Sequence, residues 1–465
     1  IREHNFCEGQ MNSIDEVTRM ISESSIPPKS KQNELEKISK EIQKEIMTFN
    51  DKRVLEVIVG GSFAKGTWLG NDTDIDFFVM IEPTVERNEF EELGKSVGFH
   101  ALKKYSPYLR YSEHPYVEGK VEGKANGIRI NIVPCYKVQL NKWKSAADRS
   151  PFHTIFMETK LNEFLKSEVR VLKRFLKSIG IYGSQISVSG FSGYVTEVLI
   201  LKYGSFSNVL QTFAELTPNY IVSLESPEQS AIEKFGSPIV IIDPIDSNRN
   251  LGAAISAECL AKFVLASRLF LKGPSTKFFM KSSRSNTKII SDIKSNLLII
   301  DFKIQIRSPD ILWGQLKKKL TSISKQLANA RFEIIKKFCF TDEQEQAVFI
   351  FMIKYTNLPK INLNVGPKIF LKNETDSFIK KRGEKSIMTW TDDMTIVSIE
   401  EREKTSIKEH TNQIIQNDIE SGRPIGISLD LKNGYSIYIG NEKKLSSFIY
   451  SAINHMVLDG EFIRQ

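Results

Sequence analysis

The chain has 465 residues, 41% of them hydrophobic and 26% charged, with 64 Lys+Arg against 56 Asp+Glu and a formal net charge of +8. Those proportions exclude a disordered chain and, at roughly 150 residues per domain, predict about three folded domains; the basic excess favours an anionic partner. No apolar run approaches the roughly 18 residues a membrane span needs. Cys7, Cys135, Cys259 and Cys339 stand far apart with no C-x-x-C pair, which argues against a structural zinc site and for a reducing compartment.

In chain order, Ile1–Gln10 show no signal-peptide core and are set aside from the fold reading as an upstream remnant. Ser13–Phe49 reads as one or two amphipathic helices split at Pro27-Pro28, because Leu35, Ile38, Ile42 and Ile46 recur at helical spacing. The stretch 57–80 then reads as strand, turn, strand. Val57–Val59 and Ile75–Met80 are apolar runs, and glycines, Asn71 and Asp72 punctuate the segment between them. Gly60, Gly61 and Ser62 leave the first strand with almost no side-chain bulk, so backbone N–H groups can approach an anion such as a triphosphate. Asp74 and Asp76 are two apart in the second strand, so both carboxylates project from one face. Alone they could line a wet strand face. Beside the Gly-Ser turn they suit a hard divalent cation such as Mg2+, and the pair of features resembles the nucleotidyltransferase superfamily typified by DNA polymerase beta.

A helix is predicted over Glu89–Tyr105, then a strand pair over Tyr116–Lys124 and Ile128–Pro134 joined through Asn126-Gly127. Two-metal phosphoryl transfer generally wants a third carboxylate from a neighbouring strand. Alternation puts Asn131 at that place, with an amide oxygen but no charge.

At this point the residues resemble something narrower. Gly-Ser-Phe-Ala-Lys-Gly-Thr-Trp-Leu at 61–69, Asn-Ile-Val-Pro-Cys-Tyr at 131–136 and Lys-Ser-Ala-Ala-Asp-Arg-Ser-Pro-Phe-His at 144–153 resemble the archaeal-type class I CCA-adding enzymes, the tRNA nucleotidyltransferases. The resemblance continues through 173–183, 190–194 and 243–250. It implies an α+β, multidomain protein with a polymerase-beta-like catalytic head (11–150), a mostly helical neck completing the nucleotide pocket (151–270), an α/β, RRM-like body (271–315 and 385–465) and an inserted tail (316–384). By the same resemblance Asp74, Asp76 and Asn131 hold two Mg2+ ions, and Gly61, Ser62, Lys65, Lys173 and Tyr182 hold the triphosphate. His114, Ser150 and His153 line the nucleotide site, and Arg249 helps select CTP or ATP. The implied partner is the tRNA acceptor and TΨC stem, in the cytoplasm, with a homodimer left open. Asn131 departs from the aspartate usual in the family.

Read without the resemblance, Lys173 belongs to a solvated helix face, Tyr182 to a helix end, Arg249 to a loop ion pair and the histidines to the core. Gly190-Phe191-Ser192-Gly193 does not match the G-x-S-x-G elbow of hydrolases. Basic residues from Lys272 to Lys288 interleave with Phe278-Phe279, a pattern that can track a phosphate backbone or form a solvated loop. Beyond it, Leu297–Ile306 reads as a strand and Asp310–Phe338 as one long helix, with Leu312, Leu316, Leu320, Ile323 and Leu327 in the core and Lys317, Lys318, Lys319 and Lys325 as candidates for an RNA face. A short basic helix ends at Arg382, strands follow near 385–400 and 433–440, and a helix closes at 443–458. The activity implied is template-independent addition of CCA to tRNA. Two alternatives stay open: a poly(A)- or oligonucleotide-synthesising transferase, and an RNA-binding protein whose active site has decayed at Asn131.

Overall fold

A computed structural model describes residues 2–70, 74–111, 114–121, 127–225, 235–280, 287–422 and 425–464. They form two compact units, residues 1–283 with 460–465, and residues 284–459.

The first unit opens with α1 (Arg2–Ser25) and α2 (Lys29–Met47). The break falls at Pro27-Pro28, where proline cannot continue a helix but suits the entry to the next. α1 runs through residues 2–10 of the stretch set aside above. Leu35, Ile42 and Ile46 form the buried stripe of α2, which packs on a five-stranded sheet of order β1-β2-β5-β4-β3. Its strands are β1 (Val54–Gly60), β2 (Asp74–Ile81), β3 (Tyr108–Tyr111), β4 (Pro115–Lys120) and β5 (Arg129–Tyr136), with a one-turn α3 (Gly61–Ala64) after β1 and α4 (Arg87–Ala101) after β2. β2 and β5 pair in parallel, and every other pair is antiparallel. Alternation sends Ile75, Phe77, Val79, Ile130, Ile132 and Val117 to a core under α2 and α4. The opposite face carries Asp74, Asp76 and Asn131 and, further along the strands, the buried Phe78, Met80 and Cys135. The Asn126-Gly127 hairpin expected between β4 and β5 lies partly outside the described residues, and the two strands it would join are antiparallel neighbours.

The rest of this unit is mainly helical: α5 (Arg149–Lys160), α6 (Glu163–Ser178), α7 (Gly193–Tyr203), α8 (Phe206–Ala214) and α9 (Ala257–Lys272), with short strands β6 (Ile221–Val222), β7 (Val240–Asp243) and β8 (Asp246–Asn250). Four of the helices start where a polar side chain accepts from a first-turn N–H: Asn162 from Leu165, Ser192 from Val195, Ser205 from Asn208 and Ser256 from Cys259. Ser192 is therefore a helix cap. The core is aromatic: Phe175, Phe206 and Phe270 are fully buried, and the Phe270 ring meets those of Phe175 and Phe206 edge-on at 5.7 and 5.5 Å. Phe278 and Phe279 are buried against the same rings. They are core residues and do not interleave with the basic side chains as an RNA-tracking surface; Lys281 and Arg284 lie outside the described residues.

The second unit holds a four-stranded antiparallel sheet of order β10-β11-β9-β15, from β9 (Leu297–Lys303), β10 (Ile334–Thr341), β11 (Gln346–Ile353) and β15 (Tyr435–Ile439). One face packs on α11 (Pro309–Asn329), through Leu312, Leu316, Leu320, Ile323 and Leu327, and on α13 (Ile407–Glu420) and α14 (Ile427–Lys432). The other packs on α10 (Thr287–Ile293) and α15 (Ser447–Leu458). A separate three-stranded sheet, β12 (Ile361–Lys368), β14 (Thr395–Glu401) and β13 (Ser386–Asp392), carries α12 (Lys372–Arg382).

Three readings change. The long helix expected to reach Phe338 stops at Asn329, because Arg331 turns the chain with φ of +74° and Ile334 begins a strand. Lys319 is buried and paired with Asp418, so it leaves the proposed RNA face. The boundary expected at 315/316 falls inside α11, and β10 and β11 pair into one sheet with β9, whereas 361–401 stands as a sheet of its own. Among the described residues no helix is long and apolar enough to cross a membrane.

Candidate active site

The strand register brings Gly60, Asp76, Asn131, Glu118 and Tyr108 into one row across all five strands of the first sheet. Asp74 and Arg129 are neighbours one step away. Asn131 donates from Nδ2 to Asp76 Oδ1 at 2.8 Å. Arg129 donates from Nε to Asp74 Oδ1 at 2.7 Å and from Nη2 to Oδ2 at 3.0 Å, a bidentate clamp. Withdrawal from water pushes the Asp76 carboxyl above the usual carboxylate range; the Asn131 hydrogen bond opposes that shift and the charge on Asp74 adds to it. Gly61 makes the approach from β1 possible. Its φ is +69°, and a Cβ there would lie 2.0 Å from Asp76 Oδ2, so only glycine lets the turn close on the acid.

These residues suit a hard divalent ion. The two acids share a face, and Asn131 Oδ1 is buried with no hydrogen-bond partner among the described residues, an oxygen in want of a donor or a cation. No group of three His, Cys, Asp or Glu side chains placed for a metal occurs among the described residues, as follows from the third place holding an amide.

A cavity of about 540 Å³ opens beside this face, lined by Ser62, Asp74, Arg129, Lys173, Lys177 and Tyr182 among others. The Lys177 ammonium lies over the Tyr182 ring, 5.0 Å from its centroid. Lys173 is buried, and its Nζ donates to the Thr67 carbonyl and hydroxyl, each at 3.0 Å. Burial pulls its pKa down to about 8, against the charge of Glu197. Lys65 does not line this cavity; it is buried, and its Nζ meets Glu197 Oε2 at 2.5 Å.

A second cluster gathers around Asp243, whose side chain is fully buried. His153 Nε2 lies 2.9 Å from Asp243 Oδ2, Arg249 donates to the same oxygen at 3.1 Å, and Tyr194 donates to Oδ1 at 3.3 Å. The Tyr194 ring packs on His153 at 3.9 Å and lies under the Lys65 ammonium at 5.6 Å, so the two clusters adjoin. Burial lowers the His153 pKa despite Asp243. Ser150 enters α5 with its carbonyl accepting from Thr154. His114 lies elsewhere, buried with Nε2 2.9 Å from the Pro134 carbonyl and its ring against Phe90 of α4.

Sequence reasoning missed Thr67, Arg129, Lys177, Tyr194, Glu197 and Asp243. One of them carried a readable signal: Glu197 is a lone acid in the apolar helix Gly193–Tyr203, and a charge there must have a partner.

The sheet, with its acid pair and Gly-Ser turn, is that of a nucleotidyltransferase. Residues 39–176 match the nucleotidyltransferase domain family. Residues 167–280 match the second domain of tRNA nucleotidyltransferases, and residues 294–440 match the C-terminal domain of CCA-adding enzymes. The CCA-adding enzyme of Methanocaldococcus jannaschii is 34% identical over 88% of this chain and 92% of its own length. That of Saccharolobus shibatae is 34% identical over 84% and 89%, and that of Pyrobaculum islandicum 33% over 81% and 88%. The chain belongs to the family of CCA-adding enzymes, and is a transferase of the α+β nucleotidyltransferase class.

Proposed function

We propose that this protein adds CCA to the 3' end of tRNA without a nucleic-acid template, by in-line attack of the tRNA 3'-hydroxyl on the α-phosphate of CTP or ATP, with pyrophosphate leaving. The observation that carries the reading is the convergence of Asp74 with Ser62, Lys173 and Tyr182 on one cavity, next to the Asp76–Asn131 pair. Asp74, Asp76 and the free Asn131 Oδ1 would hold two Mg2+ ions. When bound, these lower the pKa of the attacking hydroxyl and neutralise the triphosphate. Ser62 and the Gly61 turn, with Lys173 and Tyr182, orient the triphosphate, and Arg129 and Lys177 add positive charge along the same wall. Before metal arrives, Arg129 keeps the Asp74 carboxylate neutralised and in place. Asp243 holds Arg249 and His153 so that the guanidinium, still 39% exposed, presents its remaining donors to a base edge.

The division we favour is a catalytic head to about residue 150 and a helical neck to about 270, followed by a body. The sheet at 361–401 is the tail gripping the acceptor and TΨC stem by shape and backbone, which lets one enzyme accept every tRNA. Such work belongs in the cytoplasm. The test is incorporation of labelled CTP and then ATP into tRNA lacking its end: addition that uses both and stops after three nucleotides supports the reading. Continued addition of A alone would make the protein a poly(A)-type transferase instead. Asn131 favours a second reading, a tRNA-binding protein with weakened catalysis; tight tRNA binding with no addition in that assay would establish it.

A further inference from the structure

We propose that Glu197 is a positioning residue for the triphosphate, the buried carboxylate that locks the Gly-Ser turn region to the α6 lysine facing the cavity. The inference rests on the reading of Lys173 as a triphosphate ligand. The Glu197 side chain has no solvent exposure, and those of Lys65 and Lys173 are only 8% and 2% exposed. A carboxylate withdrawn this far from water is costly unless its oxygens are filled by cations and hydrogen bonds. Here Lys65 Nζ donates to Oε2 at 2.5 Å, Thr67 Oγ1 donates to Oε1 at 2.6 Å, and Lys173 Nζ stands 3.6 Å from Oε1. Thr67 Oγ1 in turn accepts from Lys173 at 3.0 Å. A hydroxyl can donate once while accepting, so Lys173, Thr67, Glu197 and Lys65 form one connected circuit.

The circuit gathers three separate segments: the loop after α3, which leads from the Gly-Ser turn, then α6, then α7. The backbone and hydroxyl oxygens of Thr67 take two of the three Lys173 N–H bonds. The ammonium is thereby fixed in direction, with its third donor toward the Glu197 carboxylate, on the wall of the cavity that Lys173 lines. Gly193, at the start of α7, spares the neighbouring Tyr182 hydroxyl: a Cβ there would sit 3.1 Å from it, and in ordinary contact, at 3.8 Å, with Lys173 Nζ. Burial alone would push the Glu197 carboxyl up, but Lys65 and Lys173 hold it below the usual range, so it stays ionised and supports two ammonium groups. Glu197 never needs to touch the nucleotide. It decides where Lys173 points and keeps it charged.

The test uses the full chain and compares binding of CTP and CMP by calorimetry, alongside thermal unfolding. Glu197→Gln should weaken CTP binding at least tenfold and leave CMP binding unchanged, and Glu197→Asp, which keeps the charge, should restore part of the CTP preference. Thr67→Val, a milder break in the circuit, should weaken CTP selectively and keeps the idea testable if Glu197→Gln fails to fold. Unchanged CTP affinity in Glu197→Gln, or in Thr67→Val where the first variant does not fold, would overturn the inference, as would parallel loss for CTP and CMP. Lys173→Met separates the two levels: if it keeps the CTP preference, the triphosphate reading of the pocket fails. If it loses that preference while Glu197→Gln retains it, only the role of Glu197 fails.

Discussion

Replacing Asn131 with aspartate tests how the acid row is built. The amide donates to Asp76 Oδ1 at 2.8 Å, so Asn131→Asp sets two carboxylates where a donor met an acceptor. Two charges about 4 Å apart repel by about 4 kcal/mol at an effective dielectric constant of about 20. Protonating an ordinary aspartate at neutral pH costs about the same, roughly three pH units at 1.36 kcal/mol each. The metal-free variant should therefore lose up to about 4 kcal/mol of stability, with one proton taken up by the pair as the outlet. A divalent ion removes most of that penalty. Urea unfolding of both proteins in EDTA and in Mg2+ is the assay. The variant should be the less stable in EDTA, and Mg2+ should stabilise it by more than it stabilises the parent. At saturating Mg2+ its CCA addition should be faster by about 10–100-fold, the scale of changes that tune a metal site. Equal Mg2+ stabilisation of the two proteins, or no loss of stability in EDTA, would refute the placement of residue 131 in the metal site.

Three further outcomes follow from the geometry. Gly61→Ala puts a Cβ 2.0 Å from Asp76 Oδ2 at a φ of +69°; the backbone alone costs about 1–2 kcal/mol, and nucleotide incorporation should fall by more than that loss of stability accounts for. Lys173 titrates near 8, below the ordinary 10.5. Between these values the unfolded chain binds more protons, so this group's contribution to stability rises with pH, whereas CTP affinity should fall as pH passes 8; calorimetric titrations from pH 7 to 9 check the second and denaturant unfolding over pH 8 to 10 the first. Phe270→Ala, which opens a cavity among the rings of Phe175, Phe206 and Phe279, should cost about 3–5 kcal/mol in denaturant unfolding.

What could be read from the chain was local. Period-two alternation put Asp74 and Asp76 on one face and Asn131 beside them, and the register then set Asn131 directly against Asp76. Helical spacing gave α2 and the stripe of α11. Partners far apart in sequence were not legible. Glu197 meets a lysine 132 positions away, and its own helix signals only that some partner must exist. Lys173 looked like one lysine of a solvated face; tertiary packing turned it inward, as it did Lys319. Phe278 and Phe279 show the opposite error, where a pattern fitting RNA contact served the core. The end of α11 was missed because Ile334, Ile335 and Phe338 keep a helical spacing with no period-two alternation to mark a strand, and the left-handed turn at Arg331 ends the helix before them.

The most direct test of the central claim compares the parent chain with Asp76→Ala on tRNA lacking its CCA end, with CTP, ATP and Mg2+ supplied. The account predicts that the parent adds CCA and that the variant still binds tRNA but adds nothing measurable. Addition by Asp76→Ala at the parent's rate would contradict it.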